Sequence, residues 1–190
     1  MRAVGPNTHF VGDEELVLQV ARGELTQLGR LFDLYHLPVR RFLARLQVPP
    51  GDLDDLVQLT FLQVPRAAPR FDPQRAVKGW LFGLATFVFK RHRRSLARLT
   101  RKVAALAREP IHAAPPTPAD LVGEVESARR ADRALAALSP KKREVFVMVV
   151  LERLPGEAVA QALGIPEGTV WTRLHHARRE LQALIREEEP

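Results

Sequence analysis

The sequence predicts an all-α protein of two small helical domains joined by a proline-rich linker, the second of them a helix-turn-helix domain. Three observations predict it. Apolar residues recur at three and four positions over long windows rich in Ala, Leu, Arg and Glu, while the alternation that marks a strand is rare. Four prolines fall within the nine residues from Pro110 to Pro118, so no packed helix runs through that stretch. A helix, a glycine-containing turn and a basic helix close the chain. The boundaries read as 10–100 for the first domain, 101–130 for the linker and 131–187 for the second domain, with the acidic end EEEP as a frayed tail.

Charge narrows the function. The 190 residues hold 29 Lys and Arg against 22 Asp and Glu, a net of +7, which favours a polyanionic partner such as nucleic acid or an anionic membrane surface. No apolar run approaches the roughly 18–20 residues that span a bilayer, and MRAVGPNTHFVGDEEL lacks the layout of a signal peptide, so a cytoplasmic location without membrane insertion is expected. The absence of cysteine excludes disulfides and thiol chemistry, and the six histidines show no metal-ligand spacing, so no metal or other cofactor is expected. No cluster of carboxylates, histidine and a nucleophile converges in any segment, and the chain reads as a non-enzyme.

In the first domain, DLDDLVQLTFLQV follows the turn-forming PPGD. Leu53, Leu56, Val57, Thr60, Phe61 and Val64 fall on one helical face, with Asp52 as the candidate N-cap and Asp54 and Asp55 in the first turn. The opposite face holds Asp55, Gln58, Leu59 and Leu62, where outward leucines fit either a protein interface or an ordinary solvated face.

The next helix interleaves aromatics with bases. With Leu81, Leu84, Ala85, Val88, His92 and Leu99 as its buried stripe, Phe82, Thr86, Phe87, Lys90, Arg93 and Arg94 point the other way. Cations neutralise phosphates, and aromatic faces stack on unpaired bases for about 1–3 kcal/mol each, so this surface suits melted nucleic acid. The alternative is that Trp80, Phe87 and Phe89 are bundle core and RHRR a solvated end; His92 reads as a satisfied core residue.

In the second domain, Ser139-Pro140 starts a helix with Val145, Phe146, Val149 and Val150 as its apolar side. A short helix over about 157–163 ends at Gly164, and Pro166 opens the last one. There Val170, Leu174, Ala177 and Leu181 share one side. Trp171, Thr172, His175, His176 and Arg179 face outward beside Thr169, Arg173 and Arg178, a surface fit for phosphates and base edges, or else the polar side of an ordinary amphipathic helix.

Together these segments resemble the extracytoplasmic-function sigma factors of bacterial transcription, over almost the whole chain and in order. DDLVQLTF resembles that family's DDLVQETF polymerase-binding segment, and RFDPQRAVKGWLFGLA its promoter-melting segment. LSPKKREVFVMVVLERLPGEAVAQALGIPEGTVWTRLHHARREL is similar to its upstream-element region. The resemblance implies that Asp54, Asp55, Gln58, Leu59 and Leu62 dock on core RNA polymerase. It implies that Lys78, Trp80, Phe82, Thr86, Phe87, Lys90, Arg93 and Arg94 engage the minus-ten promoter DNA. The minus-thirty-five element would fall to Thr169, Trp171, Thr172, Arg173, His175, His176 and Arg179, and an anti-sigma factor is an expected partner.

The chain departs from the pattern at five places. Pro65 replaces a Trp or Tyr, with Pro69 close behind, so that helix is expected to kink or end early. Leu59 replaces Glu, Thr86-Phe87 replaces Arg-Asn, Pro155-Gly156 replaces a Ser-Tyr cap, and Trp171 replaces Lys or Arg. The substitutions at Leu59, Pro65, Thr86 and Phe87 keep open a sigma-like adaptor or regulator that binds polymerase or DNA without directing initiation; a third reading is an ordinary helix-turn-helix repressor with an unrelated helical effector domain, usually a symmetric dimer.

Overall fold

Acidic residues open the first helix. Asp13, Glu14 and Glu15 occupy the first turn of α1 (Asp13–Ala21), where unpaired amides favour negative charge, and Leu16, Val17 and Val20 bury its other side. The structure, a computed structural model, describes residues 12–107 and 124–188; these hold eight α-helices and no strand. The second helix, α2 (Thr26–Arg45), continues through Pro38 and buries Leu31, Val39, Phe42 and Leu43. The half-buried Tyr35 ties it to α1 by donating its phenolic hydrogen to Asp13 Oδ2 at 2.5 Å. Burial, reinforced by that bond, holds the phenol well above its ordinary range.

The amphipathic segment forms α3 (Leu53–Ala67), and all six residues of its predicted stripe are buried. At about 1.5–3 kcal/mol for each large apolar side chain, that face fixes the helix in the bundle. One local expectation fails. Asp52 makes no side-chain cap; it lies in a 3-10 turn, Pro50–Asp52, and its carboxylate faces His92 Nε2 at 3.3 Å. Past Pro65, α3 runs two residues further and passes into a second 3-10 turn, Ala68–Arg70. A proline forfeits one helical bond and crowds the preceding turn, and burial of Phe61, Val64 and Ala68 on either side holds the segment in place.

The longest helix, α4 (Val77–Ala107), is packed on two sides. Against α2, Phe82 stacks on Phe42 with ring centroids 4.2 Å apart and planes within 2°, and Leu81, Ala85, Val88 and Phe89 are also buried. The expected outward positions of Phe82 and Thr86 are therefore corrected: the first is fully buried, and the second is buried with its hydroxyl donating to Phe82 O at 2.8 Å. Leu99, expected inside, is 59% exposed because the helix has outrun the bundle there.

Helices also reach into the expected linker from both sides. α4 continues to Ala107 and α5 (Glu124–Ala137) begins before residue 130, while the proline cluster lies outside the described residues. Ser139 then sets the start of α6 (Pro140–Phe146), without a side-chain cap bond, and a wider π turn, Val147–Leu151, extends it. That turn changes the helical phase. Val145, Val147 and Met148 are the fully buried residues, and Phe146, Val149 and Val150 pack around them half-buried. The buried Arg143 fastens the end of α5, donating to the carbonyls of Leu135 (2.6 Å), Ala136 (2.8 Å) and Leu138 (2.8 Å). These carbonyls are the orphan acceptors of a helix C-terminus, where a cation is also favoured by the dipole.

The last two helices, α7 (Gly156–Leu163) and α8 (Glu167–Glu188), complete the second domain. The first domain meets it along α4. A Cβ on Gly83 would lie 2.8 Å from the backbone oxygen of Ala162 in α7, so the approach of these helices requires glycine. Glu152, beyond the π turn, receives Arg45 at 2.5 Å and Lys78 at 2.7 Å, and Lys90 pairs with the buried Glu144 at 2.8 Å. Arg143 spans the same junction, donating to Leu46 O at 3.3 Å.

Candidate nucleic-acid interface

The turn between α7 and α8 is built by Gly164. Its backbone is left-handed (φ 63°, ψ 41°), its N–H donates to Gln161 O at 3.3 Å, and the N–H of Ile165 returns to Ala160 O at 3.0 Å. This paired closure satisfies carbonyls at the end of α7 and turns the chain sharply enough for α8 to cross it. Val170, Leu174 and Ala177 are buried and Leu181 half-buried, as the spacing predicts.

The opposite side of α8 is open. Trp171, Thr172, His175, His176, Arg178 and Arg179 are exposed, with Thr169 and Arg173 at the margins, half-buried. Thr172 spends its hydroxyl hydrogen on Gly168 O at 2.9 Å, so toward a ligand it offers lone pairs. The two imidazoles meet edge to face with centroids 5.7 Å apart. Among the described residues no group of His, Asp or Glu is placed to hold a metal ion. The face thus combines guanidinium donors, imidazoles, a hydroxyl and one large aromatic surface, a set suited to phosphates and base edges in a major groove.

On α4 the predicted residues divide. Phe87 is exposed, Arg94 is exposed, and Arg93 lies with its guanidinium 5.7 Å from the Phe89 ring. Trp80 is half-buried against Phe71, ring centroids 5.0 Å apart. Trp80 and Phe87 line a cleft with Gly79, Gly83, Gln161 and Ala162, so α7 forms its far wall. Lys78 and Lys90 are held by Glu152 and Glu144, and Phe82 and Thr86 belong to the core.

The third set forms one patch on α3. Asp54, Asp55, Gln58, Leu59 and Leu62 are all exposed, Leu59 by 41% and Leu62 by 64%, and Asp54 is bridged to Arg40 of α2 at 2.8 Å. On the neighbouring α2, Leu34 and Leu37 are also exposed. Sequence reasoning missed Arg143, Glu144 and Glu152, because nothing in the spacing of a single helix marks a charge covered by a neighbouring element.

Comparison with known proteins defines the class. Residues 31–99 match the family model of sigma-70 region 2, and residues 128–181 that of sigma-70, region 4. The probable RNA polymerase sigma-C factor of Mycobacterium bovis is 30% identical over 184 residues, spanning 92% of this chain and 90% of that protein. The ECF RNA polymerase sigma factor SigE of Mycolicibacterium smegmatis is 28% identical over 147 residues, 77% of this chain and 57% of that longer relative. Among solved structures, CnrH in complex with the cytosolic domain of CnrY superposes with a TM-score of 0.67 at 26% identity, covering 93% of this chain and 99% of that one. The chain therefore belongs to the extracytoplasmic-function RNA polymerase sigma factors, transcription initiation factors that direct polymerase to promoters.

Proposed function

We propose that this chain binds core RNA polymerase through the outward face of α3, engages the minus-ten element with α4 and reads the duplex minus-thirty-five element with α8. The observation that carries this reading is the amphipathic split of α8: three residues sealed in the domain, and a basic, aromatic and imidazole face left open at the second helix of a helix-turn-helix. Asp54, Asp55, Gln58, Leu59 and Leu62 supply an apolar and acidic docking patch on the first domain. On α4 the DNA-contacting set is Trp80, Phe87, Arg93 and Arg94, joined by Lys78 and Lys90 once Glu152 and Glu144 release them.

The chain supplies binding free energy rather than covalent chemistry. Binding melted promoter DNA more tightly than duplex shifts the equilibrium toward the open state, and phosphodiester synthesis stays with the polymerase. It acts in the cytoplasm; among the described residues no helix is long and apolar enough to cross a membrane. The complex of CnrH with CnrY supports an anti-sigma partner for this chain as well. Fluorescence-monitored binding to purified core polymerase tests the docking face. Leu62→Asp should weaken binding about tenfold or more, as a carboxylate in an apolar contact does, with an unchanged melting temperature; wild-type affinity would rule that face out.

A further inference from the structure

Trp171 is the fifth residue of α8. The residue is 49% exposed, and its ring is held from two sides. The Nε1–H donates to Glu167 Oε1, one turn earlier, at 3.2 Å. The ring also lies over the first residue of α7. A Cβ built on Gly156 would come within 2.5 Å of Trp171 Cζ2 and 3.0 Å of Cε2, and within 3.0 Å of Glu167 Oε1. Any side chain at 156 would displace the indole, so Gly156 leaves the space that the ring fills.

The chemistry of the exposed part follows. Indole has a single polar hydrogen and no acceptor, and Glu167 takes that hydrogen. What remains toward solvent is hydrocarbon in a set orientation. Early residues of a recognition helix reach base edges, and the apolar feature that a base pair shows in the major groove is the thymine C5 methyl. The geometry points to Trp171 as a specificity-determining contact for a thymine methyl in the minus-thirty-five duplex, with Gly156 and Glu167 as its positioning residues. This rests on α8 being the minus-thirty-five reader.

Deoxyuridine tests it, because it lacks the methyl and keeps the pairing edge of thymidine. Run-off transcription is measured with holoenzyme assembled from core polymerase and the full chain, on promoters carrying deoxyuridine at each thymidine of the element in turn. Wild type should lose about fourfold at one or two positions, the worth of one buried methyl group. Trp171→Arg should give a flat profile. Gly156→Ala, which pushes the ring aside, and Glu167→Ala, which frees it, should flatten the profile too. In the Trp171→Arg background Gly156→Ala should change neither profile nor melting temperature. A wild-type profile that is flat while base-pair changes in the element still abolish transcription overturns the inference and leaves α8 as the reader. So does a deoxyuridine loss that persists in Trp171→Arg. Transcription indifferent to every base pair of the element overturns both.

Discussion

Arg179 and Gly164 show how differently two residues of one motif contribute. Arg179 is exposed on α8 and touches nothing that holds the domain together, so Arg179→Ala should leave the melting temperature in place. Transcription from a promoter that depends on its minus-thirty-five element should fall about tenfold, within the about 1–3 kcal/mol of a specific base contact. Gly164 touches no base in this account; it carries the left-handed turn that sets α8 across α7. Gly164→Ala should cost about 1 kcal/mol of domain stability, the penalty for placing a Cβ in that region. Urea unfolding followed by circular dichroism measures it, and an unchanged midpoint would show that the turn relaxes without strain.

At the scale of elements, what can be read in advance depends on how many neighbours a helix has. The stripe of α3 and that of α8 were legible because each presents one apolar side to one core, which is the case that a period of 3.6 encodes. α4 was half legible. Leu81, Ala85 and Val88 are buried as the spacing expects, but α2 meets a second side, where Phe82 stacks on Phe42, and α7 a third at Gly83, so a single stripe is silent about Phe82 and Thr86. The position of the Gly156–Trp171 contact, fifteen residues apart, could not be read from spacing, because it exists only once the turn at Gly164 has folded α8 back on α7.

Across the whole molecule, the two domains are closed on each other. α7 lies on α4, the cleft between them holds Trp80 and Phe87, and Lys78 and Lys90 are paired with Glu152 and Glu144. Free chain should therefore bind promoter DNA poorly until polymerase draws the domains apart. Glu152→Lys replaces an acceptor of two cations with a third positive charge and should open the junction, seen as a larger radius of gyration in solution scattering and a tighter grip of the free chain on forked minus-ten DNA. An unchanged radius of gyration would show that the helix contact at Gly83 suffices to hold the domains.

Run-off transcription from a randomised promoter library, with purified core polymerase in the presence and absence of this chain, tests the central claim most directly. Transcripts should depend on the chain and share two spaced elements, the upstream one altered by substitutions at Trp171 and Arg179 and the downstream one by substitutions at Phe87 and Arg94. Tight binding to core polymerase without any such transcripts would contradict it and identify an adaptor that occupies polymerase without directing it.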